Sequence, residues 1–430
     1  MNNDFGISLS SQDFESVLKA AMLCGLKQLE NGGETYRAED TVMRICSAFD
    51  CPDSEVIAFP TGLIITLKYN GKTVGNSVQR VRKRTIDLSK LSEANNISRS
   101  LASGRLQLDD AIRMLENMNR VQPVTSKLSG KLLYALIAAI STAFFAVLYG
   151  GSFFDAVIAF ICGGVVQLVS SMMKSGDLFK FAISLLGGGI IALFAVMGTA
   201  IFGIGSVDKI IMGAIIPLLP GLALTTAIRD TMNGDLISGC ARLCEVVLVA
   251  FALAAGVGIV FSAYTNLGGV IINKLPAPSS IPVRLIKDLI YAVAASAFFS
   301  VLIGSPKKTI LTASIVGALG YIVYDIIMIA SASSAEVSAF FFGTLFMSLV
   351  SEILARTQKM PSITFTTPAI VPLVPGVGIY KTMLYLILDD FSSAVSTGVT
   401  TLLTTGAMAI AIAGASVAVS KVHRWVVKKK

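Results

Sequence analysis

Apolar and polar positions divide the chain into two parts of different character. Up to about residue 128, apolar and charged residues alternate at short range, whereas after Lys131 long apolar runs are separated by short polar stretches. Most of these runs extend over about 18 to 25 residues, enough to cross a hydrocarbon core of about 30 Å at 1.5 Å per helical residue. The pattern predicts a soluble N-terminal domain followed by a polytopic membrane domain.

The N-terminal part changes from a helical period to a strand period and back. Apolar residues at every third or fourth position predict amphipathic helices over 12–30 and 35–49, and the same period returns over 88–119. Short apolar runs predict three strands between them, at 56–59, 63–67 and 73–81. Asn70 and Gly71 tolerate positive φ and therefore mark the turn before the third strand. We expect a small α+β domain.

Ten apolar segments follow, and they form two similar sets of five. The first set lies near 131–149, 153–173, 179–203, 208–228 and 236–262, and the second near 286–303, 308–330, 335–355, 364–387 and 391–420. The motif Ile-Ile-Pro-Leu-Leu-Pro-Gly at 215–221 recurs as Ile-Val-Pro-Leu-Val-Pro-Gly at 370–376, and other positions recur at nearly the same offset. Such echoes indicate an internal duplication. Because five spans per copy is an odd number, the second copy should enter the bilayer upside down relative to the first.

The predicted fold class is a polytopic α-helical membrane protein of about ten transmembrane helices, arranged as two inverted five-helix repeats and preceded by a small α+β cytosolic domain. The composition agrees, because 54% hydrophobic and 14% charged residues in a chain of 430 exclude an ordinary soluble protein. The predicted domains are the soluble domain at 1–128, the first repeat at 129–262, an inter-repeat linker at 263–285, the second repeat at 286–421 and a basic cytoplasmic tail at 422–430.

The distribution of charge predicts the topology. The net charge of +8 includes a cluster of lysine and arginine in the last ten residues, which we expect to lie on anionic membrane lipid rather than on nucleic acid. The first 30 residues contain four carboxylates and no long apolar core, so a cleaved secretory signal is not expected. We therefore expect a multi-pass plasma-membrane protein. Because ten spans put both termini on the same side of the membrane, we expect both termini in the cytoplasm. Lys274, Arg284 and Lys287 are exceptions to the positive-inside rule, since they fall on the predicted outer side.

Helix-breaking residues in the fourth segment of each copy are the strongest candidate substrate elements. Prolines remove backbone donors and glycine loosens the helix, so that free carbonyls can face a cavity, and polar residues follow each break. The candidate substrate-binding residues are Pro217, Pro220, Gly221, Thr225, Arg229 and Asp230 in the first copy, and Pro372, Pro375, Gly376 and Lys381 in the second. The alternative is that the prolines only kink packed helices and the charges lie in loops.

Carboxylates inside apolar segments are costly and are therefore candidates for binding a coupling proton. Asp325 has no basic neighbour in sequence and ranks first, followed by Glu245 and Glu352, although Glu352 is also spaced to pair with Arg356. The single histidine, His423, lies in the tail, so carboxylates would have to carry the proton. The sequence contains no phosphate-binding loop, hydrolase motif or metal-ligand pattern, so we expect neither an enzyme nor a cofactor or metal.

The run Asn31–Asp40, Asn-Gly-Gly-Glu-Thr-Tyr-Arg-Ala-Glu-Asp, resembles the N-terminal motif of the threonine/serine exporter (ThrE-like) family, Ser-Gly-Ala-Glu-Thr-Tyr-Arg-Val-Glu. The similarity continues in order through Phe59–Gly62, Gly104–Leu106 and the membrane segments, with both halves of the family fused in one chain. The resemblance implies a secondary exporter of threonine and serine. We expect alternating access between the repeats, proton coupling and gating by the soluble domain. Related two-chain systems are associated with dicarboxylate export, so a succinate-like substrate is the alternative.

The motif itself has two interpretations. Glu34, Thr35, Tyr36, Arg37 and Glu39 combine both signs of charge with a phenol, which suits a cytosolic vestibule or a regulatory ligand site. Alternatively the first two residues cap the following helix and the arginine forms an ion pair with a nearby carboxylate. A membrane-anchored enzyme or a scaffold that uses the soluble domain is a third class, but it would leave the paired helix breaks unexplained. The sequence leaves a homo-oligomer open.

Overall fold

The computed structural model of the protein describes residues 11–118, 128–173, 177–219, 221–276, 280–332 and 334–428. The chain forms two compact units. The first, called the N-terminal unit, contains the residues up to Pro123 and also Asp230–Ser238, and the second, called the membrane unit, contains Val124–Arg229 and Gly239–Lys430.

The N-terminal unit is an α+β domain, as predicted. Its helices are α1 (Ser11–Glu30), α2 (Thr35–Ala48), α3 (Leu88–Ala102) and α4 (Leu108–Asn117), and its strands are β1 (Glu55–Phe59), β2 (Gly62–Tyr69) and β3 (Lys72–Arg80). The strands form one antiparallel sheet in chain order. Asn70 and Gly71 both have positive φ, 48° and 75°, at the turn between β2 and β3. The helical region 88–119 contains two helices, because the chain turns at Gly104 with a φ of 69°.

The core of this unit lies between α1, α2 and one face of the sheet. Alternate residues of β2, namely Leu63, Ile65 and Leu67, are fully buried, as expected for a strand with one face covered. They belong to one hydrophobic cluster with Val17 of α1 and Val42 of α2. The helical period of α1 and α2 and the strand period of β2 therefore meet in a single core.

The membrane unit contains twelve helices in the part of the chain that the structure describes. Its first half comprises α5 (Leu128–Leu148), α6 (Phe153–Met172), α7 (Asp177–Phe202), α8 (Val207–Ala214), α9 (Gly221–Met232) and α10 (Leu236–Asn266). Its second half comprises α11 (Ile281–Leu302), α12 (Lys307–Ala330), α13 (Glu336–Thr357), α14 (Ile363–Ile370), α15 (Gly376–Ile387) and α16 (Phe391–Lys428). Among the described residues, eight continuous helices are long and apolar enough to cross a membrane. The protein is thus a polytopic helical membrane protein.

The fourth predicted segment of each copy is broken, and the two breaks have the same construction. In each copy an eight-residue helix, α8 or α14, leads into a three-residue 3-10 turn and then into a twelve-residue helix, α9 or α15. The turns are Ile216–Leu218 and Val371–Leu373, and each contains a proline. The second broken segment bends by 45° between its two parts. Proline interrupts the helix here because it lacks the backbone donor that an α-helix needs.

Equivalent residues of the two copies touch each other between α5 and α11. Phe144 stacks on Phe298 and Phe145 meets Phe299 edge to face, each pair with ring centroids 6.4 Å apart. The Ser141 hydroxyl donates to the Ala295 carbonyl at 3.2 Å, and this pair is separated by the same 154 positions. When a two-fold axis exchanges two copies, the equivalent residues that touch each other are the ones that lie next to the axis. This arrangement is what a duplication packed around a two-fold axis between α5 and α11 produces.

The connection between the copies is shorter than the predicted linker 263–285, because α10 continues to Asn266 and α11 begins at Ile281. The connection pairs with the segment that precedes α8. Lys274 donates its backbone N–H to the Gly205 carbonyl at 2.9 Å, and the Ser206 hydroxyl donates to Asn273 Oδ1 at 3.0 Å. At the other end of the chain, α16 continues into the predicted tail as far as Lys428, whose side chain lies outside the described part, as do residues 429–430.

Candidate functional site

The second Pro-Gly break lines a cavity of about 450 Å³ in the membrane unit, here called the break cavity. Besides the break, the wall is formed by the C-terminal part of α12, the starts of α13 and α15, the first half of α16, and Tyr149 with Met212 from the first copy. The lining residues are Tyr149, Met212, Tyr321, Tyr324, Glu336, Phe340, Pro372–Pro375, Val377, Gly378, Lys381, Ser396, Thr397, Thr400, Thr401 and Thr404. Of the predicted substrate residues, Pro372, Pro375 and Lys381 are therefore in the cavity wall.

The break cavity carries one acidic and one basic side chain. Lys381 stands five residues after the glycine of the break, and Glu336 belongs to the first turn of α13. Lys381 Nζ lies 3.5 Å from Asp208 Oδ2 of α8, and both side chains of that pair are partly exposed. A partly exposed pair of this kind contributes little net energy and leaves the ammonium available to a second anion.

Threonine hydroxyls form the wall contributed by α16. Thr401 Oγ1 donates to the Thr397 carbonyl at 2.6 Å, and Thr400 and Thr404 donate in the same way to carbonyls of their own helix, at 3.0 Å each. A hydroxyl that has given its proton to the backbone presents its oxygen as an acceptor. With Lys381 and Glu336, this wall can hold a small zwitterion. Its carboxylate would meet the ammonium, and its own ammonium would meet the carboxylate and the hydroxyl oxygens.

Two glycines of the second break allow close helix contacts. A Cβ added at Gly376 would lie 3.0 Å from Leu219 Cδ1, so this glycine packs against the first break and lies behind the cavity wall. A Cβ added at Gly378 would overlap the Thr401 hydroxyl, so α15 and α16 approach each other only because this position has no side chain. The two breaks therefore pack together, and the threonine wall depends on a glycine.

The described residues of the first break line neither the break cavity nor the cavity beside it. Pro217 is half-buried in its 3-10 turn, and Gly221 begins α9. Pro220 lies outside the described residues, as does the side chain of Thr225. Arg229 follows Gly221 by eight residues, which places it about 12 Å along the helix from the break. Asp230 is fully buried and begins the segment that belongs to the N-terminal unit.

The carboxylate that ranked first, Asp325, is 1% exposed and forms an ion pair with Arg284 of α11. The same guanidinium approaches Asp288, with Arg284 Nε 3.5 Å from Asp288 Oδ2. Sequence reasoning found no partner for Asp325 because 41 positions separate it from Arg284. The sequence did hold one indication of this partner, because Arg284 is an exception to the positive-inside rule. The two other candidates, Glu245 and Glu352, are half-buried and line neither described cavity.

Glu352 also lacks the ion pair that its spacing suggested. Within the part of the chain that the structure describes, no acidic oxygen lies within 4.0 Å of a basic nitrogen of Arg356, and Arg356 Nε has no hydrogen-bond partner. Spacing of four residues makes a helical ion pair possible, but side-chain rotamers decide whether it forms.

A second cavity of about 800 Å³ lies next to the first and shares Tyr149, Met212 and Tyr321 with it. We call it the cationic cavity, because Lys209, Arg284 and Lys287 line it together with one carboxylate, Asp288. Loop 149–152 and residues 275–276 complete its wall. The Tyr321 hydroxyl donates to the Leu148 carbonyl at 3.5 Å. The three shared side chains thus form the partition between the two cavities.

The N-terminal motif is engaged in contacts within its own unit. Arg37 Nε lies 2.6 Å from Glu34 Oε2, and it donates to Tyr36 Oη at 3.0 Å. Glu34 is fully buried, and its side chain makes no capping hydrogen bond to α2. Glu39 Oε1 accepts the Ala58 N–H at 2.7 Å; burial raises the pKa of this carboxyl, and the hydrogen bond opposes the rise. The Arg37–Glu34 ion pair agrees with the structural interpretation of the motif, whereas the side-chain cap that this interpretation expected from Glu34 does not form.

One motif residue reaches the segment Asp230–Ser238. Thr35 Oγ1 donates to Asp235 Oδ2 at 2.9 Å, although 200 positions separate the two residues in sequence. Thr35 is fully buried and Asp235 is half-buried. The first turn of α2 therefore holds the connection between α9 and α10. No group of His, Cys, Asp and Glu able to hold a metal ion occurs among the described residues.

Comparisons with known proteins agree along most of the chain. The family model described as "Putative threonine/serine exporter" matches residues 19–264, and the model described as "Threonine/Serine exporter, ThrE" matches residues 288–418. The chain is 26% identical over 387 residues to the "Threonine/serine exporter" of Corynebacterium glutamicum, covering 87% of this chain and 76% of that protein. It is 22% identical over 393 residues to the "Probable threonine/serine exporter" of Mycobacterium tuberculosis, covering 89% and 72%.

A more distant relative covers a smaller share of the chain. The "Probable succinate transporter subunit YjjP" of Escherichia coli is 21% identical over 257 residues, which is 58% of this chain and 95% of that protein. No solved structure matches the chain.

Proposed function

Because this chain belongs to the threonine/serine exporter family, we propose that it exports threonine and serine across the plasma membrane by secondary active transport. The transport cycle is alternating access between the two membrane copies, and the coupling ion is a proton. The substrate binds in the break cavity, and the N-terminal unit regulates transport from the cytosol.

The single observation that supports this substrate class is the presence of both Glu336 and Lys381 in the wall of one cavity. A free amino acid carries one carboxylate and one ammonium, so its recognition needs one group of each sign. The hydroxyl oxygens of Thr400, Thr401 and Thr404 add acceptors for an ammonium or for the side-chain hydroxyl of a threonine or serine substrate. A volume of about 450 Å³ is in the usual range of small-molecule sites.

A succinate-like dicarboxylate is the second candidate, and the cationic cavity is the observation that favours it. Lys209, Arg284 and Lys287 offer three positive groups, which suit a dianion. However, a dianion would be repelled by Asp288 in that cavity and by Glu336 in the break cavity. We therefore favour the zwitterionic substrate.

Both termini are placed on the cytosolic side, and the Thr35–Asp235 hydrogen bond supports this topology. The bond requires the segment Asp230–Ser238 to lie on the same side of the membrane as the N-terminal unit. An even number of crossings must then separate them, and α5, α6 and α7 supply three. The broken segment α8–α9 supplies the fourth. Because α14–α15 is built like α8–α9, we count it as one span too. Each copy then has five spans, which gives ten spans and two inverted copies.

The test is flux from proteoliposomes that contain the full chain and are loaded with labelled threonine, serine or succinate. We expect release of threonine and serine, faster with an imposed pH gradient, and loss of release in E336Q and K381Q. D389N and K308Q are matched controls, because these residues line neither described cavity and Asp389 is exposed. Release of succinate alone would establish the dicarboxylate alternative, and the absence of all three fluxes from folded protein would refute both.

A further inference from the structure

Two buried carboxylates and one guanidinium meet where the start of α11 packs beside the C-terminal part of α12. Arg284 forms an ion pair with Asp325, and its Nε lies 3.5 Å from Asp288 Oδ2. Asp325 is 1% exposed and Asp288 is 8% exposed, whereas the Arg284 side chain is about half exposed. No feature of the N-terminal motif or of the Pro-Gly breaks accounts for this cluster.

The charges in the cluster do not balance if both carboxylates are ionised. Both carboxylates would then share the one guanidinium that contacts them, and a buried carboxylate that is only partly compensated is costly. Asp325 Oδ2 moreover has no hydrogen-bond partner among the described residues. A single proton held between the carboxylates removes the excess charge, and it converts one of them into a donor.

We propose that Asp288 and Asp325 share one exchangeable proton and that, with Arg284, they form the proton-coupling site of the exporter. This proposal rests on the function proposed above and identifies the site that couples transport to the proton. It replaces a single carrier at Asp325 by a pair of carboxylates, one of which lines the cationic cavity. The pair exchanges its proton with water, and no other chemical change is involved.

The surroundings of the cluster favour the carboxylate pair as the group that titrates. Tyr321 and Tyr324 flank it on α12, Tyr149 approaches from the end of α5, and Lys287 belongs to α11 itself. Lys209 of α8 lines the cationic cavity, and Glu336 of α13 lines the break cavity together with Tyr324. The packed segment Ile363–Leu373 contains no titratable residue. In general, a phenol or an ammonium releases its proton at a higher pH than a carboxylate does.

The position of the pair also fits a coupling role. Asp288 lines the cationic cavity, and Tyr324, next to Asp325 in sequence, lines the break cavity. On the topology proposed above, the start of α11 and the C-terminal part of α12, which contribute to the walls of the two cavities, are near the outer face of the membrane. A proton from the outer solution therefore reaches Asp288 through the cationic cavity. Protonation weakens the ion pair of Arg284 with Asp325, which joins α11 to α12, and thereby alters the wall that α12 contributes to the break cavity.

The experiment compares two fluxes in proteoliposomes of the full chain. The first is counterflow of labelled threonine at equal pH on both sides, which needs no coupling, and the second is threonine flux driven by a pH gradient, with internal pH followed by a trapped dye. We expect D288N and D325N to retain counterflow and to lose both the stimulation by the gradient and the accompanying proton movement. The double variant should behave like either single variant, because the proton is shared. D389N is the matched control.

The outcomes separate this proposal from the proposed function. Absence of threonine counterflow in the wild type would refute the function, whereas wild-type counterflow with unchanged gradient stimulation in D288N and D325N would refute only the shared proton. If D325N does not fold, D288N alone decides, since Asp288 is at a cavity wall. R284Q provides a second measurement. Without the guanidinium, Asp288 and Asp325 should hold their shared proton more tightly, so the pH dependence of threonine counterflow should shift to higher pH. An unshifted profile would contradict the shared proton.

Discussion

Replacing Thr35 by valine should release the segment Asp230–Ser238 from the first turn of α2. The substitution removes the hydroxyl that donates to Asp235 Oδ2 at 2.9 Å and keeps the shape of the side chain. Thr35 is fully buried, so no other group of the N-terminal unit can take over the bond without rearrangement.

The free energy lost in T35V depends on the two groups that form the hydrogen bond, a neutral hydroxyl and a carboxylate. A hydrogen bond to a charged group contributes about 1.5–3 kcal/mol to stability. The lower end applies here, because valine leaves no unsatisfied donor and the half-buried carboxylate of Asp235 can regain contact with water. A loss of about 1.5 kcal/mol corresponds to about a tenfold larger population of the released segment.

Amide hydrogen exchange measures this population directly. In T35V, exchange of the amides from Asn233 to Ser238 should accelerate about tenfold, while α1 and α3 keep their protection. T35S, which retains the hydroxyl, is the matched control and should exchange like the wild type. Equal exchange in T35V and T35S would show that the hydrogen bond does not hold the segment, and it would remove the support that this bond lends to the topology.

Three further predictions test other parts of the structure. Burial raises the pKa of Glu39 above its ordinary value of 4.5, so the folded state binds a proton at this carboxyl more tightly than the unfolded state does. The contribution of Glu39 to the free energy of unfolding is therefore most favourable at low pH and is lost as the pH rises through the raised pKa. Thermal melts of E39Q should lose this part of the pH dependence, and identical pH profiles for E39Q and the wild type would contradict the prediction. G378A should reduce both the yield of folded protein and threonine flux, because its Cβ overlaps the Thr401 hydroxyl, and the double variant G378A/T401A should recover the yield on gel filtration. A double-mutant cycle on Phe145 and Phe299 should give a coupling energy of about 0.5–1.5 kcal/mol in detergent unfolding, and additive effects would argue against the contact between the copies.

The shared wall of the two cavities also connects the proposals. Tyr149, Met212 and Tyr321 stand between the cationic cavity and the break cavity. If both proposals hold, substrate and proton act on the same few side chains from opposite faces of one partition. A proton drives export against a gradient only through a conformation that both sites influence, and this partition is the element that the two proposed sites share.

Several elements of the protein follow from the sequence alone. A stretch of about 20 apolar residues partitions into the bilayer as a helix because its backbone polar groups must be satisfied internally, so the eight continuous spans could be located without a structure. Proline interrupts a helix by removing a donor, so the breaks at Ile216–Leu218 and Val371–Leu373 could be predicted as well. The strand period and the Asn70-Gly71 turn identified the small sheet.

Only the tertiary structure decides which polar groups meet. Arg284 and Asp325 are 41 positions apart, and Thr35 and Asp235 are 200 positions apart. Their contacts depend on how each element is rotated and packed against its neighbours, and neither composition nor periodicity contains that information. For the same reason the second break lines a cavity whereas the described residues of the first do not, although the two sequences are nearly copies. Burial against different partners, rather than local sequence, makes one copy of the motif a candidate binding site and the other a packing element.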